Sequence, residues 1–109
     1  MATNGLAQHV FDVERRRMER EEVFYRTMLT ATGGATVPVD LVNISRTGFM
    51  ARTDAPLTEG TRARIRLPVT SEVDARIVWA LGGRVGAEFR EPIEPLTYFK
   101  LLAALPRGN

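Results

Sequence analysis

The fold is decided by residues 39–52, VDLVNISRTGFMAR. Up to Ile44 the apolar residues, several of them β-branched, are interspersed with polar ones, as in a half-buried β-strand. Asn43, Ser45 and Gly48 then interrupt the pattern within a few positions. Asparagine and serine hydrogen-bond nearby backbone or a ligand, and glycine permits a positive φ or a close approach to the backbone. The stretch therefore predicts a strand, a tight polar corner and a second strand.

The rest of the sequence predicts further strands and one helix. The strand patterns cover residues 23–31, 35–45, 48–53, 61–67, 71–81 and 84–89. Glycine pairs at 33–34 and 82–83 supply the positive φ angles that hairpin turns need. After Pro95, apolar residues recur at helical spacing. We predict an all-β fold, a six-stranded antiparallel barrel over residues 23–90, followed by a C-terminal α-helix over residues 94–105.

Some individual positions carry their own expectations. Pro38 lacks a backbone N–H and indicates a strand edge or a bulge. On the strand over residues 71–81, simple alternation places Trp79 on the same face as Ile77. An aromatic residue on an alternating strand usually belongs to the core, so we expect Trp79 to be buried, and the same reasoning applies to Phe49 and Met50.

Length and composition limit the possible classes of protein. The 109 residues suffice for one domain with a single core. Cysteine is absent, which excludes disulfides and thiolate metal sites and is compatible with a reducing cytoplasm. No apolar run approaches the roughly 18 residues of a membrane-spanning helix, and the first residues lack the pattern of a secretory signal. We expect a cytoplasmic protein without membrane insertion.

The residues that enzymes use most often are scarce. The only histidine, His9, lies in residues 1–13, which have no clear periodicity and are predicted to be a flexible lead-in. The acidic residues do not follow the spacing of a metal site. We therefore expect a binding module rather than an enzyme, with no metal and no cofactor.

Arginines cluster just before the predicted barrel, in the segment 14–22, called here the arginine arm. Only Lys100 among the fifteen basic residues is a lysine; a GC-rich genome would explain that excess of arginine, but it would not explain the cluster. Arg16 and Arg20 would share one face of a helix and would be splayed in an extended chain. The alternative is a solvated segment balanced by its glutamates. Together with the polar corner, the arm instead favours an anion site, and a nucleotide in particular.

Two short motifs carry a resemblance to a known family. The motifs are Arg16-x-x-x-Arg20 and, after a hairpin, Asn43-x-Ser45-x-x-Gly48. In this order they resemble the two-part signature of PilZ domains, bacterial receptors for cyclic di-GMP that are built on a six-stranded barrel with a C-terminal helix. The resemblance spans residues 14–105, and it implies the same fold and the same ligand here.

The resemblance also implies which residues bind cyclic di-GMP. These are Arg15, Arg16, Arg20, Asn43, Ser45 and Gly48. The arm arginines would bind phosphates and stack on guanines, the asparagine and serine would hydrogen-bond a guanine edge, and the glycine would keep the corner open. An arginine immediately before the first motif implies two stacked ligand molecules per chain. The alternative is that this arginine pairs with a neighbouring glutamate.

A receptor of this kind would pass its signal to a protein effector, which the sequence does not identify. The expected mechanism is that the arm folds over the nucleotide and changes the surface that the effector contacts. One alternative is a nucleotide-independent interaction module of the same fold that docks through the C-terminal helix. A less favoured one is a barrel that binds single-stranded nucleic acid; Phe24 and Tyr25 are the only aromatics beside the arm, and we expect no nucleic-acid partner.

Overall fold

Six segments form antiparallel β-strands in the computed structural model, which describes residues 19–107. They are β1 (Glu21–Ala31), β2 (Thr36–Ile44), β3 (Gly48–Arg52), β4 (Arg62–Leu67), β5 (Ser71–Leu81) and β6 (Arg84–Phe89). The strands pair in the order β1-β2-β3-β6-β5-β4, and β4 pairs with β1 to close the barrel. The predicted six-stranded antiparallel barrel is confirmed, and each strand ends within two residues of its predicted limits.

Glycines with positive φ angles lie in two of the hairpin turns, as predicted. Gly33 has a φ of 72° in the turn between β1 and β2, and Gly82 and Gly83 have φ angles of 62° and 79° between β5 and β6. Pro38 pairs with Met28 of β1. It lies beyond the part of β2 that pairs with β3, so the strand edge that this proline indicated is present.

The core fills the inside of the barrel. Its largest fully buried side chains include Leu29, Leu41, Ile65 and Ile77. Phe49 is fully buried, as predicted, and its ring lies 5.6 Å from the ring of a second phenylalanine on β6, measured between centroids. Such a tilted pair contributes about 0.5–1.5 kcal/mol beyond its buried area.

Trp79 is a correction to the sequence prediction. The pairing of β5 with β6 shifts register between Ile77 and Trp79. Because of this bulge the side chain of Trp79 points outward, and 39% of it is exposed. A Cβ atom on Gly86 would overlap Nε1 of the indole, so the ring lies directly over this glycine on the outer face. The predicted core position is therefore wrong, and Met50 is likewise only half-buried on the outer face.

The single helix in the described part of the chain, α1 (Pro95–Ala104), matches the predicted C-terminal helix. It begins with a proline in its first turn, where the missing N–H costs nothing. Leu101 and Leu105 are buried against the barrel, whereas Leu96 and Phe99 are 60% and 70% exposed. Within residues 19–107, no helix is long and apolar enough to cross a membrane.

Some predictions fall on residues beyond the described range. The lead-in over residues 1–13 and the arm residues Arg15 and Arg16 lie outside it. The arm is described only from residue 19 onward. Glu21 and Glu22, assigned to the arm, belong to β1, so that strand begins two residues earlier than predicted.

Candidate functional site

The two parts of the polar signature meet at Arg20 and Asn43. Arg20 is exposed and immediately precedes β1, and Asn43 is half-buried on the outer face of β2. The two strands pair at this point, with Glu22 opposite Asn43. Nη1 of Arg20 donates a hydrogen bond of 2.8 Å to Oδ1 of Asn43. A guanidinium and an amide from distant parts of the sequence therefore form one polar group on the outside of the barrel.

Ser45 stabilises the corner that follows. Its side chain is only 1% exposed. Its hydroxyl oxygen accepts hydrogen bonds from the backbone N–H of Thr47 at 3.1 Å and of Gly48 at 3.2 Å. The backbone N–H of Ser45 in turn donates to the Gly48 carbonyl at 2.8 Å. These bonds close a tight turn between β2 and β3, so the serine that the resemblance assigns to the ligand also holds the corner together.

Gly48 is required by a neighbouring strand. It pairs with Glu88 on β6. A Cβ atom at this position would overlap the carbonyl oxygen of Ala87 and would lie 3.3 Å from Cα of Glu88. Its φ is outside the left-handed region, so the close approach of β6, rather than an unusual backbone conformation, explains the glycine.

A groove of about 540 Å³ opens beside Asn43 on the outer face of the barrel. Among the residues lining it are Phe24, Asn43, Met50, Arg52, Arg84 and Arg107. Phe24 is 59% exposed, so an apolar surface lies next to the cationic groups. Three guanidinium groups and the carboxylates of Glu22 and Asp40 line the groove. This combination suits a ligand that carries both anionic groups and flat, apolar faces.

The comparison with known families identifies the chain. The model of the PilZ domain matches residues 14–105, most of the chain. The chain belongs to the PilZ family. PilZ domains are binding modules and are generally receptors for cyclic di-GMP. No curated protein matches the chain. Over residues 19–107, no three potential ligand side chains lie close enough together to hold a metal ion.

In this PilZ domain the predicted ligand-binding residues differ from one another in their surroundings. Arg20 contacts Asn43, and Asn43 lines the groove. Ser45 and Gly48 are buried in the adjoining corner, and their assignment to the ligand stays a prediction. Sequence analysis missed the arginines of the groove. Alternation within β3 and β6 would have placed Arg52 and Arg84 on the outer face, but only the pairing of these strands brings the two together, and Arg107 lies after the helix, outside the six strands.

The corner of the PilZ domain is also attached to its helix. Nε of Arg46 donates to the Ile93 carbonyl at 2.6 Å, and the Ile93 N–H donates to the Arg46 carbonyl at 2.8 Å. The hydroxyl of Tyr98 donates to the Ile44 carbonyl at 3.0 Å. Burial of the phenol, and secondarily the carboxylate of Glu21, raises the pKa of Tyr98 to about 12.

The chain after the helix returns to the start of β1. The N–H of Phe24 donates to the Pro106 carbonyl at 2.9 Å, and Val23 forms an isolated β-bridge with Arg107. Nη1 of Arg107 lies 3.0 Å from a carboxylate oxygen of Glu21, the residue that follows Arg20. The described end of the arm, from residue 19 onward, the corner and the end of the helix therefore lie next to one another.

Proposed function

We propose that this PilZ domain is a cytoplasmic receptor for cyclic di-GMP that signals to a protein effector. The contact of 2.8 Å between Arg20 and Asn43 at the edge of the groove carries the proposal. Cyclic di-GMP has two phosphodiester anions and two guanine bases. A guanidinium group binds phosphate in a bidentate manner and stacks on a base, and an amide can hydrogen-bond a base edge. One residue of each kind is present at this position.

Ligand binding would change the partners of both residues. In this structure the Oδ1 atom of Asn43 accepts a hydrogen bond from Arg20. When Arg20 turns to a phosphate, that oxygen becomes free to accept a hydrogen bond from a guanine N–H. Arg16 of the arm would supply a second phosphate contact. Arg15 would offset the charge of a second cyclic di-GMP molecule, giving two ligands per chain.

The effect of ligand binding would reach the effector through the residues joined to Arg20. Arg20 is joined directly to Glu21, and Glu21 pairs with Arg107 beyond the helix. A rearranged arm therefore changes the surroundings of the C-terminal residues. An effector that contacts α1 or the residues after it would bind the two states with different affinity.

Calorimetric titration with cyclic di-GMP tests the proposal, with GMP and a short single-stranded oligonucleotide as competing ligands. Arg20→Ala and Asn43→Ala should each weaken binding by about tenfold or more, the effect of losing a charge-assisted hydrogen bond. The melting temperature of the unliganded protein should change little because Arg20 is exposed. Arg64→Ala is the matched control, since Arg64 is exposed on β4, across the barrel from β3.

Three results of the titration would contradict the proposal. One is the absence of cyclic di-GMP binding to the folded wild-type protein, and another is equal binding by Arg20→Ala and the control. Tighter binding of the oligonucleotide would favour the nucleic-acid alternative. For the stoichiometry, the wild type should bind two molecules, and Arg15→Leu should bind closer to one while retaining measurable affinity.

The nucleotide-independent interaction module is the second candidate. Leu96 and Phe99 of α1 are 60% and 70% exposed, and they lie three residues apart on the same side of the helix. Exposed apolar side chains of this size are typical anchors for a partner protein. A folded wild-type protein that binds no nucleotide would favour this function over the receptor.

A further inference from the structure

Two arginines face each other directly on the outside of the barrel. Arg52 of β3 pairs with Arg84 of β6, and both side chains are exposed. Directly opposed residues of an antiparallel pair have Cβ atoms about 4.5–5.5 Å apart, so their side chains share one space. Like charges in this arrangement destabilise a sheet. The fold therefore tolerates a repulsive pair at this place on its surface, and a second opposed pair, Arg62 with Arg76, lies between β4 and β5.

The neighbouring residues do not remove this repulsion. On β2, the other strand next to β3, Asp40 lies opposite Arg52, but its carboxylate already pairs with Nε of Arg26 at 2.9 Å. On β5, the other strand next to β6, the residue opposite Arg84 is Leu81, which carries no charge. Over residues 19–107, no carboxylate lies within salt-bridge distance of Arg52 or Arg84.

Other arginines of the barrel do have such partners. Arg64 lies 3.6 Å from Glu72, and Arg76 lies 3.6 Å from Glu88. Arg76 lies opposite another arginine, Arg62, so that second opposed pair has a carboxylate beside one of its members. The pair of Arg52 and Arg84 differs from it, because over residues 19–107 neither of these arginines has a salt-bridge partner, and free guanidinium groups are what an anion-binding position requires.

The opposed arginines belong to the groove of the proposed ligand. Both line the groove that contains Asn43, and both also line an adjoining groove of about 750 Å³ next to the turn between β5 and β6. Met50 pairs with Asn43 and lies two residues before Arg52 on β3. At about 3.4 Å per residue, this places Arg52 about 7 Å along the strand from the position opposite Asn43.

We propose that Arg52 and Arg84 form a second phosphate-binding subsite for the cyclic dinucleotide. This subsite rests on the proposed function and extends the groove beyond the Arg20 and Asn43 contact. A phosphodiester between the two guanidinium groups accepts hydrogen bonds from both and removes their mutual repulsion. The pair is therefore unfavourable in the empty groove and favourable when the ligand is bound.

Titration of Arg52→Ala and Arg84→Ala with cyclic di-GMP tests the subsite. Each variant should lose about tenfold or more in affinity. Each unliganded variant should melt at the same temperature as the wild type or higher, because a repulsion has been removed. Arg64→Ala, which removes a paired arginine on the other side of the barrel, should bind like the wild type. A residue needed only for folding would instead lower the melting temperature.

The measured stoichiometry locates the phosphate that the subsite holds. Weaker binding with the same number of ligands assigns it to the first cyclic di-GMP molecule, and a reduced number assigns it to the second. If the wild type binds cyclic di-GMP and both variants bind it as tightly as the wild type does, the subsite is refuted while the receptor function stands. If these variants and Arg64→Ala lose the same amount of affinity, the loss comes from the change in overall charge, and this result would also refute the subsite. Absence of binding to the wild type would overturn both proposals.

Discussion

Replacing Gly48 with alanine should destabilise the domain by an amount that follows from the spacing of β3 and β6. The added Cβ atom would overlap the carbonyl oxygen of Ala87, which belongs to the rigid ladder of the barrel. Restoring ordinary contact requires the strands to separate by about 1 Å. The adjacent hydrogen bond, from the Phe89 N–H to the Thr47 carbonyl, would then lengthen from 2.8 Å to beyond hydrogen-bonding distance.

The expected cost is the sum of two effects. Overpacking in a rigid environment costs about 1–3 kcal/mol, and the lost hydrogen bond contributes about 1 kcal/mol. Gly48→Ala should therefore lower the free energy of unfolding by about 2–4 kcal/mol, with a decrease in Tm of roughly 10–25 °C for a domain of this size. Urea unfolding followed by circular dichroism measures the change directly.

The matched control is Gly34→Ala. Gly34 also lies outside the left-handed region, and a Cβ atom there would lie 3.3 Å from the Cβ atom of Ala31, which is a tight but tolerable contact. Its effect on the free energy of unfolding should stay within about 0.5 kcal/mol. If Gly48→Ala is as stable as this control, the approach of the Ala87 carbonyl does not limit the position, and the reasoning is refuted.

Two further predictions concern the corner and the helix. Ser45→Ala leaves two backbone N–H groups without their acceptor and should lower the free energy of unfolding by about 1–3 kcal/mol. Thr30→Ala, at a half-buried strand position whose hydroxyl bond to Thr36 is exposed, should have a smaller effect, and equal effects in urea unfolding would contradict a role of Ser45 in the turn. The raised pKa of Tyr98, about 12, contributes stability that is fully present below the unfolded value of 10.0 and is lost as the pH rises through about 12. Tyr98→Phe should flatten this part of the profile of stability against pH, and it should lower stability at neutral pH because the bond to Ile44 is removed. If this variant still loses as much stability above pH 10 as the wild type does, the titration belongs to other groups.

The strands could be predicted because their signal is local. Alternation of apolar and polar residues and paired glycines in the turns depend only on neighbours in the sequence, so all six strands were found. The position of Trp79 could not be predicted in this way. The bulge before it exists only in the pairing of β5 with β6, and a shift of one residue moves a side chain to the other face.

The candidate site could be predicted only in part. Residue types indicated an anion site, the resemblance to PilZ domains assigned Arg20 and Asn43 to it, and the structure places these two residues in contact. Gly48 was expected either to adopt an unusual backbone conformation or to allow a close approach, and the structure selects the close approach. The opposition of Arg52 and Arg84 was inaccessible because β3 and β6 are neighbours in space and far apart in the chain.

The contacts around the corner indicate which part of the domain can respond to a ligand. Two of the attachments of the corner to the helix region, from Tyr98 to Ile44 and between Arg46 and Ile93, are partly buried. The pair of Arg107 with Glu21 is exposed on both sides, and such a pair contributes only about 0–1 kcal/mol. A rearranged arm can therefore break this ion pair at low cost while the backbone bond from Phe24 to Pro106 stays in place, whereas moving the helix requires breaking the two partly buried attachments. For the receptor function proposed above, we therefore expect the surroundings of Arg107, rather than the position of the helix, to respond to the ligand, so hydrogen exchange on addition of cyclic di-GMP should change near Arg107 more than near Tyr98.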